Sequence, residues 1–205
     1  MIERLALIGA SGHGKVIADI AKAMGVASIV FFDDRWNEMN RLYGYDVIGS
    51  VDDAIKNKEK VYDAAIVSIG NAVVRQKIQE RLSLVSPALI HPSASISNSV
   101  SLGEGSVVMP NAVINADTRV GKGVIVNSGA IVEHDCVIDD FAHICPNTAL
   151  GGGVHVGRRS WIGIGSSIIQ LKRIGDDVTV GAGSIIIRDV PNGQTVVGNP
   201  AKLLK

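Results

Sequence analysis

Hydrophobic positions in this 205-residue chain follow two rhythms, and the change between them falls near residue 90. From Ile90 onward an aliphatic residue recurs at every sixth position. It does so seventeen times in phase, from Ile90, Ile96 and Leu102 through Val132, Ile138 and Ile144 to Val180 and Ile186. Four residues after each aliphatic stands a small or β-branched residue, with Lys172 as the one exception. Six residues make one short strand and one sharp corner, and three such units close a triangular coil of 18. The aliphatic points into the prism, and the small residue fits the cramped corner. Glycine often follows the aliphatic (Gly103, Gly121, Gly151, Gly157, Gly163, Gly175, Gly181), where a corner with positive φ is expected. Coils stack at the ordinary strand spacing of about 4.8 Å, so between five and six of them predict a prism on the order of 27 Å long. A parallel β-helix is the fold this period specifies; a sandwich does not hold seventeen positions in phase.

Before residue 90 the pattern alternates between strand and helix. Residues 4–10 read as a strand that runs into Gly9-Ala10-Ser11-Gly12-His13-Gly14, and a helix is expected from Lys15 to about Met24. A second strand, Ser28 to Phe32, ends in Asp33-Asp34. Residues 52–58 read as a short helix and 63–69 as a third buried strand. After Gly70-Asn71 comes a helix from Val73 to Leu82, with Arg75, Lys77, Glu80 and Arg81 on its polar side. This alternation predicts a small parallel, Rossmann-like sheet flanked by helices. The expected division is an α/β domain over 1–85 and a β-helix domain with a C-terminal cap over 86–205.

Composition narrows the partners. Lys plus Arg and Asp plus Glu are 20 each, so the chain is formally neutral. That argues against nucleic-acid or anionic-membrane binding through bulk charge. No apolar run is long enough to span a bilayer, and the first residues read as a strand and not as a secretory leader. Cys136 and Cys145 form no disulfide framework, so a reduced, cytoplasmic setting is expected. Val and Ile supply 51 residues while Phe, Trp and Tyr supply eight, which suits closely stacked strands.

A glycine-rich turn between first strand and first helix is a place where phosphates dock, because backbone N–H groups and the helix N-terminus face the anion. An acidic pair closing the second strand is where a sugar hydroxyl would be held. A nucleotide sugar, a dinucleotide and a purely structural turn all remain open. The spacing G-x-x-G-x-G and the short length weigh against the second.

GASGHGKV, then FFDD, then a hexad prism carrying EHDC resembles, over essentially the whole chain, the sialic acid O-acetyltransferase and bacillosamine N-acetyltransferase family of hexapeptide-repeat acyltransferases. The resemblance implies a left-handed prism and a homotrimer with acetyl-CoA in the groove between neighbours. It also implies an N-terminal domain that binds a UDP-sugar through positions matching Ser11, Gly12, His13, Asp33, Asp34 and Gly70. Residues 44–49, GYDVIG, lack a proline that relatives often carry before the valine. No long loop interrupts the hexads, so acceptor recognition must come from elsewhere.

Acetyl transfer needs a base, oxyanion donors and alignment of both substrates. His134 is third in its hexad and points outward between acids. On its own this reads as a solvated surface histidine; the resemblance implies the catalytic base, oriented by Asp135 or Glu133, with Asp135 favoured. His143 lies nine residues on, half a coil around, and is expected to hydrogen-bond acetyl-CoA from an adjacent subunit. Weaker carry-overs are Asn127, orienting the acceptor, and Ile164 and Ala182, lining the acetyl-CoA channel. Residues Gly198–Lys202 are expected to cap the prism or lie near the CoA arm. Cys136 is expected buried, Cys145 is expected to be able to reach the surface, and His91 and His155 are left as surface or capping residues.

The function expected is direct acetyl transfer, without metal or covalent enzyme intermediate, to the C4 amine of a UDP-4-amino-4,6-dideoxy-N-acetyl-sugar. The alternative keeps the fold and acetylates a hydroxyl, as in sialic acid O-acetylation. An oxidoreductase domain on a structural prism and a non-catalytic scaffold are opposed by Asp33-Asp34 and the EHDC stretch.

Overall fold

The structure, a computed structural model, describes residues 2–57 and 60–204. The first part is a three-layer α/β unit. Strands β1 (Arg4–Ile8), β2 (Ser28–Phe32) and β5 (Ala64–Val67) form a parallel sheet in the order β2-β1-β5. Single bridges from Phe31 to Val47 and from Ala65 to Val85 extend it at both edges. Helices α1 (Gly12–Ala23), α2 (Val51–Lys56) and α3 (Ala72–Gln79) cover it. A small antiparallel pair, β3 (Arg41–Leu42) and β4 (Tyr45–Asp46), lies where the sequence pattern offered only a loop. Helix α1 starts three residues before the expected Lys15. Ser11 is its extended N-cap, and Gly12, His13 and Gly14 belong to the first turn.

From β6 (Leu89–Ile90) to β22 (Ile185–Ile186) the chain runs through seventeen two-residue strands. Each pairs in parallel with the strand 18 residues away, as Val113 does with Ile131 and Ile131 with Ala149. The strands sort into three faces. The first carries the strands at 89–90, 107–108, 125–126, 143–144, 161–162 and 179–180, the second those from 95–96 to 185–186, and the third those from 101–102 to 173–174, each taking every third strand. The expected inward aliphatics from Val108 to Ile186 are all buried, and only the first three, at the open lower end, are half-buried.

The small residues of the corners do more than fit. Ser160 Oγ donates to the carbonyl of Gly175 (2.7 Å) and accepts from the amide of Val178 (2.9 Å). Ser106, Thr118 and Ser166 make the same pair of contacts to the next coil. These hydroxyls pair backbone groups that the sharp corners would otherwise leave buried and unmatched.

The glycines after each aliphatic have a different role from the one expected. The left-handed residue of a corner comes two places later, at Gly105, Gly123 or Gly153, and equally at Asn111, Asp117, Asp135 or Asn147. Asn and Asp tolerate that conformation because their short polar side chains bond locally. Gly103 is fixed by close approach instead: a Cβ there would lie 2.4 Å from the backbone of Gly121 in the next coil.

The α/β unit packs on the lower first face. Leu89, Val107, Met109 and Ile125 of the prism share one apolar cluster with Leu5, Leu7, Ile17 and Ile20. At the far end β23 (Thr195–Gly198) and β24 (Ala201–Leu203) form an antiparallel pair on the same face, with Ala201 packed against the prism core. This is the capping role expected for Gly198–Lys202.

Replacing Ser160 with Ala leaves a buried amide unpaired and is expected to cost about 1–3 kcal/mol in denaturant unfolding. The exposed Ser101→Ala should stay within about 0.5 kcal/mol; equal effects of the two would show that the internal hydroxyls do not bind the coils.

Candidate active site

The glycine-rich turn separates into packing glycines and open ones. Gly9 has φ +114°, and a Cβ on it would lie 2.5 Å from Ile69 Cγ1. At Gly14 a Cβ would lie 2.7 Å from the Gly9 carbonyl oxygen. Around Gly12 and Gly70 a Cβ would meet nothing within 4 Å, so these two border open space. No side chain caps α1 and its first turn holds no acid, so the amides there remain available to an anion.

Asp33 anchors the turn. Its Oδ2 accepts from the Ala10 amide (2.8 Å), and its Oδ1 accepts from Arg35 Nε (2.9 Å). Arg35 in turn donates to the Ala10 carbonyl (3.0 Å). Burial pushes the Asp33 carboxyl up, but the hydrogen bonds from Arg35 and Ala10 outweigh it and hold the group below its ordinary value. Asp34 accepts from the Val51 amide at the start of α2 (3.0 Å). No motif in the sequence singles out Arg35, although it directly follows the acidic pair.

A second group forms where the turn meets the prism. His13, at the start of α1, lies against His143 of β15 (His143–Ile144), with ring centroids 6.5 Å apart. Trp161 of β18 (Trp161–Ile162) sits edge-on to His143 at 4.3 Å. His143 is 5% exposed. Asn127 Oδ1 accepts from the Ser128 amide, so its Nδ2 is the end facing His143 Nε2 (2.9 Å). Nε2 is therefore the acceptor, and a neutral ring carries its proton on Nδ1, which is buried without a partner. Burial, then the Arg75 charge, then His13 push His143 down to about 3. Burial and Arg75 push His13 down to about 4, and its Nε2 is likewise buried and unmatched. Both rings are neutral at physiological pH.

The sequence pattern put Arg75 on the polar side of its helix, and the structure corrects this. The side chain is 1% exposed. Arg75, Ile78, Gln79 and Leu82, at helical i, i+3, i+4 and i+7 spacing, all face inward. Its Nη1 donates to the carbonyls of Ile69 (2.9 Å) and Gly70 (2.8 Å), Nε to Gly123 (2.8 Å) and Nη2 to Phe141 (2.7 Å). Burial pulls the guanidinium down to about 10, still charged at neutral pH.

His134 lies elsewhere, on the corner between the second and third faces. Its Nδ1 meets Asp135 Oδ2 at 2.7 Å, and both side chains are exposed. The Asp135 hydrogen bond raises the His134 pKa, and the charges of Asp135 and Glu133 add to it. Glu133 instead accepts from Asn115 Nδ2 (2.8 Å), so Asp135 is the carboxylate that orients the ring. Gly152, in the next coil, leaves room for that ring: a Cβ there would lie 2.7 Å from Nε2.

Ile164 and Ala182 stack 18 apart on the corner between the first and second faces, both exposed, and the Ile164 carbonyl accepts from Gly183 (2.8 Å). Thus Ser11, Gly12, Asp33, Asp34 and Gly70 gather at the turn. His13, Asn127 and His143 meet beneath it, and His134–Asp135 stands apart on another corner of the same chain. Asn127 has both ends of its amide engaged, which makes it the residue that orients His143. Cys145, expected to be able to reach the surface, is buried, and burial pushes its thiol up to about 12. It is stacked between Asn127 and Gly163 of the adjoining coils. Cys136 is buried as expected. His155 Nε2 pairs with Asp139 (2.7 Å), and His91 Nδ1 bonds Ser93 (2.7 Å). Among the described residues no cluster of three or more His, Cys, Asp or Glu is placed to hold a metal, and no helix is long and apolar enough to cross a membrane.

The neutral histidines link folding to pH. Both bind a proton more weakly when folded, so their contribution is complete above the ordinary value of about 6.5 and is lost as pH falls toward their folded values. The urea midpoint is expected to fall between pH 7.5 and pH 5.0, and less so in His143→Gln. A midpoint as sensitive in the variant as in the parent would contradict a neutral, buried His143.

Residues 4–82 match the PglD N-terminal domain family. The acetyltransferase domain of PglB from Neisseria gonorrhoeae FA1090, also solved in complex with acetyl coenzyme A, is 44% identical. That similarity covers 98% of this chain and 100% of that one, with a TM-score of 0.94. PerB from Caulobacter crescentus, solved with CoA and GDP-perosamine, is 36% identical over 98% of this chain and 97% of its own, with a TM-score of 0.91. A curated serine acetyltransferase from Synechococcus elongatus is 34% identical over 76 residues, 33% of this chain. The chain spans about a third or less of the length of the first curated relatives it matches. A turn and a prism that match PerB and the acetyltransferase domain of PglB almost throughout place the chain in their family, the sugar N-acetyltransferases built on a left-handed β-helix.

Proposed function

We propose that the chain transfers acetyl from acetyl-CoA to the C4 amine of a UDP-4-amino-4,6-dideoxy-N-acetyl-sugar, with His134 as general base. The observation that carries this is the exposed His134–Asp135 pair, whose Nδ1 is engaged at 2.7 Å and whose Nε2 is left to meet a substrate. The amine attacks the thioester carbonyl and a C–N bond forms. Nε2 takes the amine proton, the C–S bond breaks, and the proton is passed to the departing CoA thiolate. Asp135 fixes the tautomer that this requires and stabilises the imidazolium. Ser11, Gly12, Asp33, Asp34 and Gly70 hold the nucleotide sugar at the open turn.

The working form is a homotrimer. The second face of the prism presents Ile131 to solvent, and two to three coils higher its corner with the third face presents Ile169, Leu171 and Ile187. Large aliphatics exposed along one side of a prism suit a partner. The two corners that flank this face carry His134 on one side and Asn127, Ile164 and Ala182 on the other. Packing the face against a second copy brings His134 of one subunit toward His143 and the acetyl-CoA channel of its neighbour. Acetyl-CoA and nucleotide sugars are intracellular, which fits the expected cytoplasmic setting. The likeness to perosamine N-acetyltransferase favours an amine over the hydroxyl of the alternative reading.

Thiol release from acetyl-CoA, followed with UDP-, GDP- and CMP-linked amino sugars and with hydroxyl sugars, tests the assignment. UDP-amino sugars should be turned over best, and turnover of hydroxyl acceptors alone would reject the N-acetyl reading. His134→Ala should lower kcat by about 10²- to 10⁴-fold, and full activity would remove His134 from the mechanism. Asp135→Asn replaces the carboxylate that raises the His134 pKa with a neutral amide, so the acid limb of kcat/KM should move to lower pH while the maximum falls. Oligomers assembled from His134→Ala and His143→Ala chains should regain part of the activity that each lacks; none regained would reject a site shared between subunits.

A further inference from the structure

A buried arginine normally pairs with a carboxylate, because an uncompensated charge in the interior is expensive. Arg75 has none among its hydrogen-bond partners, and all four acceptors are backbone carbonyls. Two of them, Ile69 and Gly70, belong to the turn between β5 and α3. The other two, Gly123 and Phe141, are left-handed corner residues 18 apart, stacked in consecutive coils of the prism. One planar group thus ties the α/β unit to the β-helix at fixed separation and angle.

Apolar contacts already join the two units through Ile17, Ile20, Val107 and Met109. Adhesion alone does not call for an ion in this place. What the guanidinium adds is direction: its fork fixes the carbonyls of Ile69 and Gly70, and so the plane of the peptide leading into α3. Gly70 borders open space and shares a cleft of about 470 Å³ with Asn71, Arg159, Trp161 and Thr179. Trp161 in turn packs on His143. The turn, the cleft and the histidine are therefore held in one relation by Arg75.

We propose that Arg75 is a positioning residue for acyl transfer: its fork sets the Gly70 turn against the His143–Trp161 wall of the prism, and thereby where the sugar lies relative to the acetyl group. This rests on the nucleotide-sugar reading above. Lysine does not replace it, because a single ammonium cannot reach carbonyls on two sides.

The full chain is compared with Arg75→Lys and Arg75→Met, each assayed well below its own unfolding temperature. In both, KM for the UDP-amino sugar is expected to rise at least tenfold with kcat reduced, while KM for acetyl-CoA stays within twofold. Hydrogen exchange of the Val74 and Arg75 amides, which bond to Asn71, should quicken at least tenfold. Sugar KM within twofold of the parent in both variants, with only the unfolding temperature lowered, would reduce Arg75 to a staple and overturn the proposal. Full rescue by Arg75→Lys would overturn it as well, since charge without the fork would then suffice. If Arg75→Met does not accumulate as soluble protein, Arg75→Lys decides alone. A parent that turns over no UDP-amino sugar would count against the nucleotide-sugar reading; exchange at Val74 and Arg75, which needs no turnover, still judges Arg75, and unchanged exchange rejects it.

Discussion

A chain that turns through a third of a circle every six residues must pass through a left-handed backbone conformation at nearly every corner. That requirement governs the prism. It limits each strand to two residues and leaves one inward position per unit for an aliphatic. It also stacks every residue on the one 18 places away. Glycine, Asn and Asp meet the requirement at most corners, and Asp135 is one of them, with φ +58°. The residue that orients His134 thus occupies a position that the coil geometry already reserves for a small polar side chain. Trp161 reaches His143, and Gly152 clears His134, through the same stacking.

Three histidines on one chain are driven to different states by simple means. His13 and His143 are enclosed beside a cation and stay neutral far below their ordinary value. His134 stands in solvent beside a carboxylate and is pushed the other way. A neutral buried pair can donate or accept hydrogen bonds without competing for the substrate proton, whereas a solvated, carboxylate-backed ring gains basicity. The Arg75 fork takes part in both structure and electrostatics, because the group that joins the two units also discourages protonation of both buried rings.

The prism was legible in the sequence because its period repeats at every coil, and an error at one corner is corrected by the sixteen other units. The α/β unit offers no such redundancy. Its three main strands were visible as buried β-branched runs, but β3 and β4 are two residues long and leave no alternation to detect. Helix α1 began earlier than expected because glycines usually mark a loop, while here they open the helix. Charge puts Arg75 on the solvent side of its helix, although its spacing from Ile78 and Leu82 places it inside. At the candidate site, the turn and the His134 corner could be located from motifs. The meeting of His13 with His143 could not, because it depends on how the two units dock, which no local pattern encodes.

The unbroken hexad register also quantises what lengths of insertion or deletion the β-helix can absorb. Losing 18 residues removes one storey and leaves every later side chain on its own face. Losing six keeps the aliphatics inward but rotates everything beyond the cut by a third of a turn, carrying a corner such as that of Ile164 to a different edge. Losing one exchanges inside for outside. Divergence that keeps this register is therefore confined to replacing side chains on a fixed lattice, to adding whole storeys, or to loops that leave and return at one corner without moving the strands.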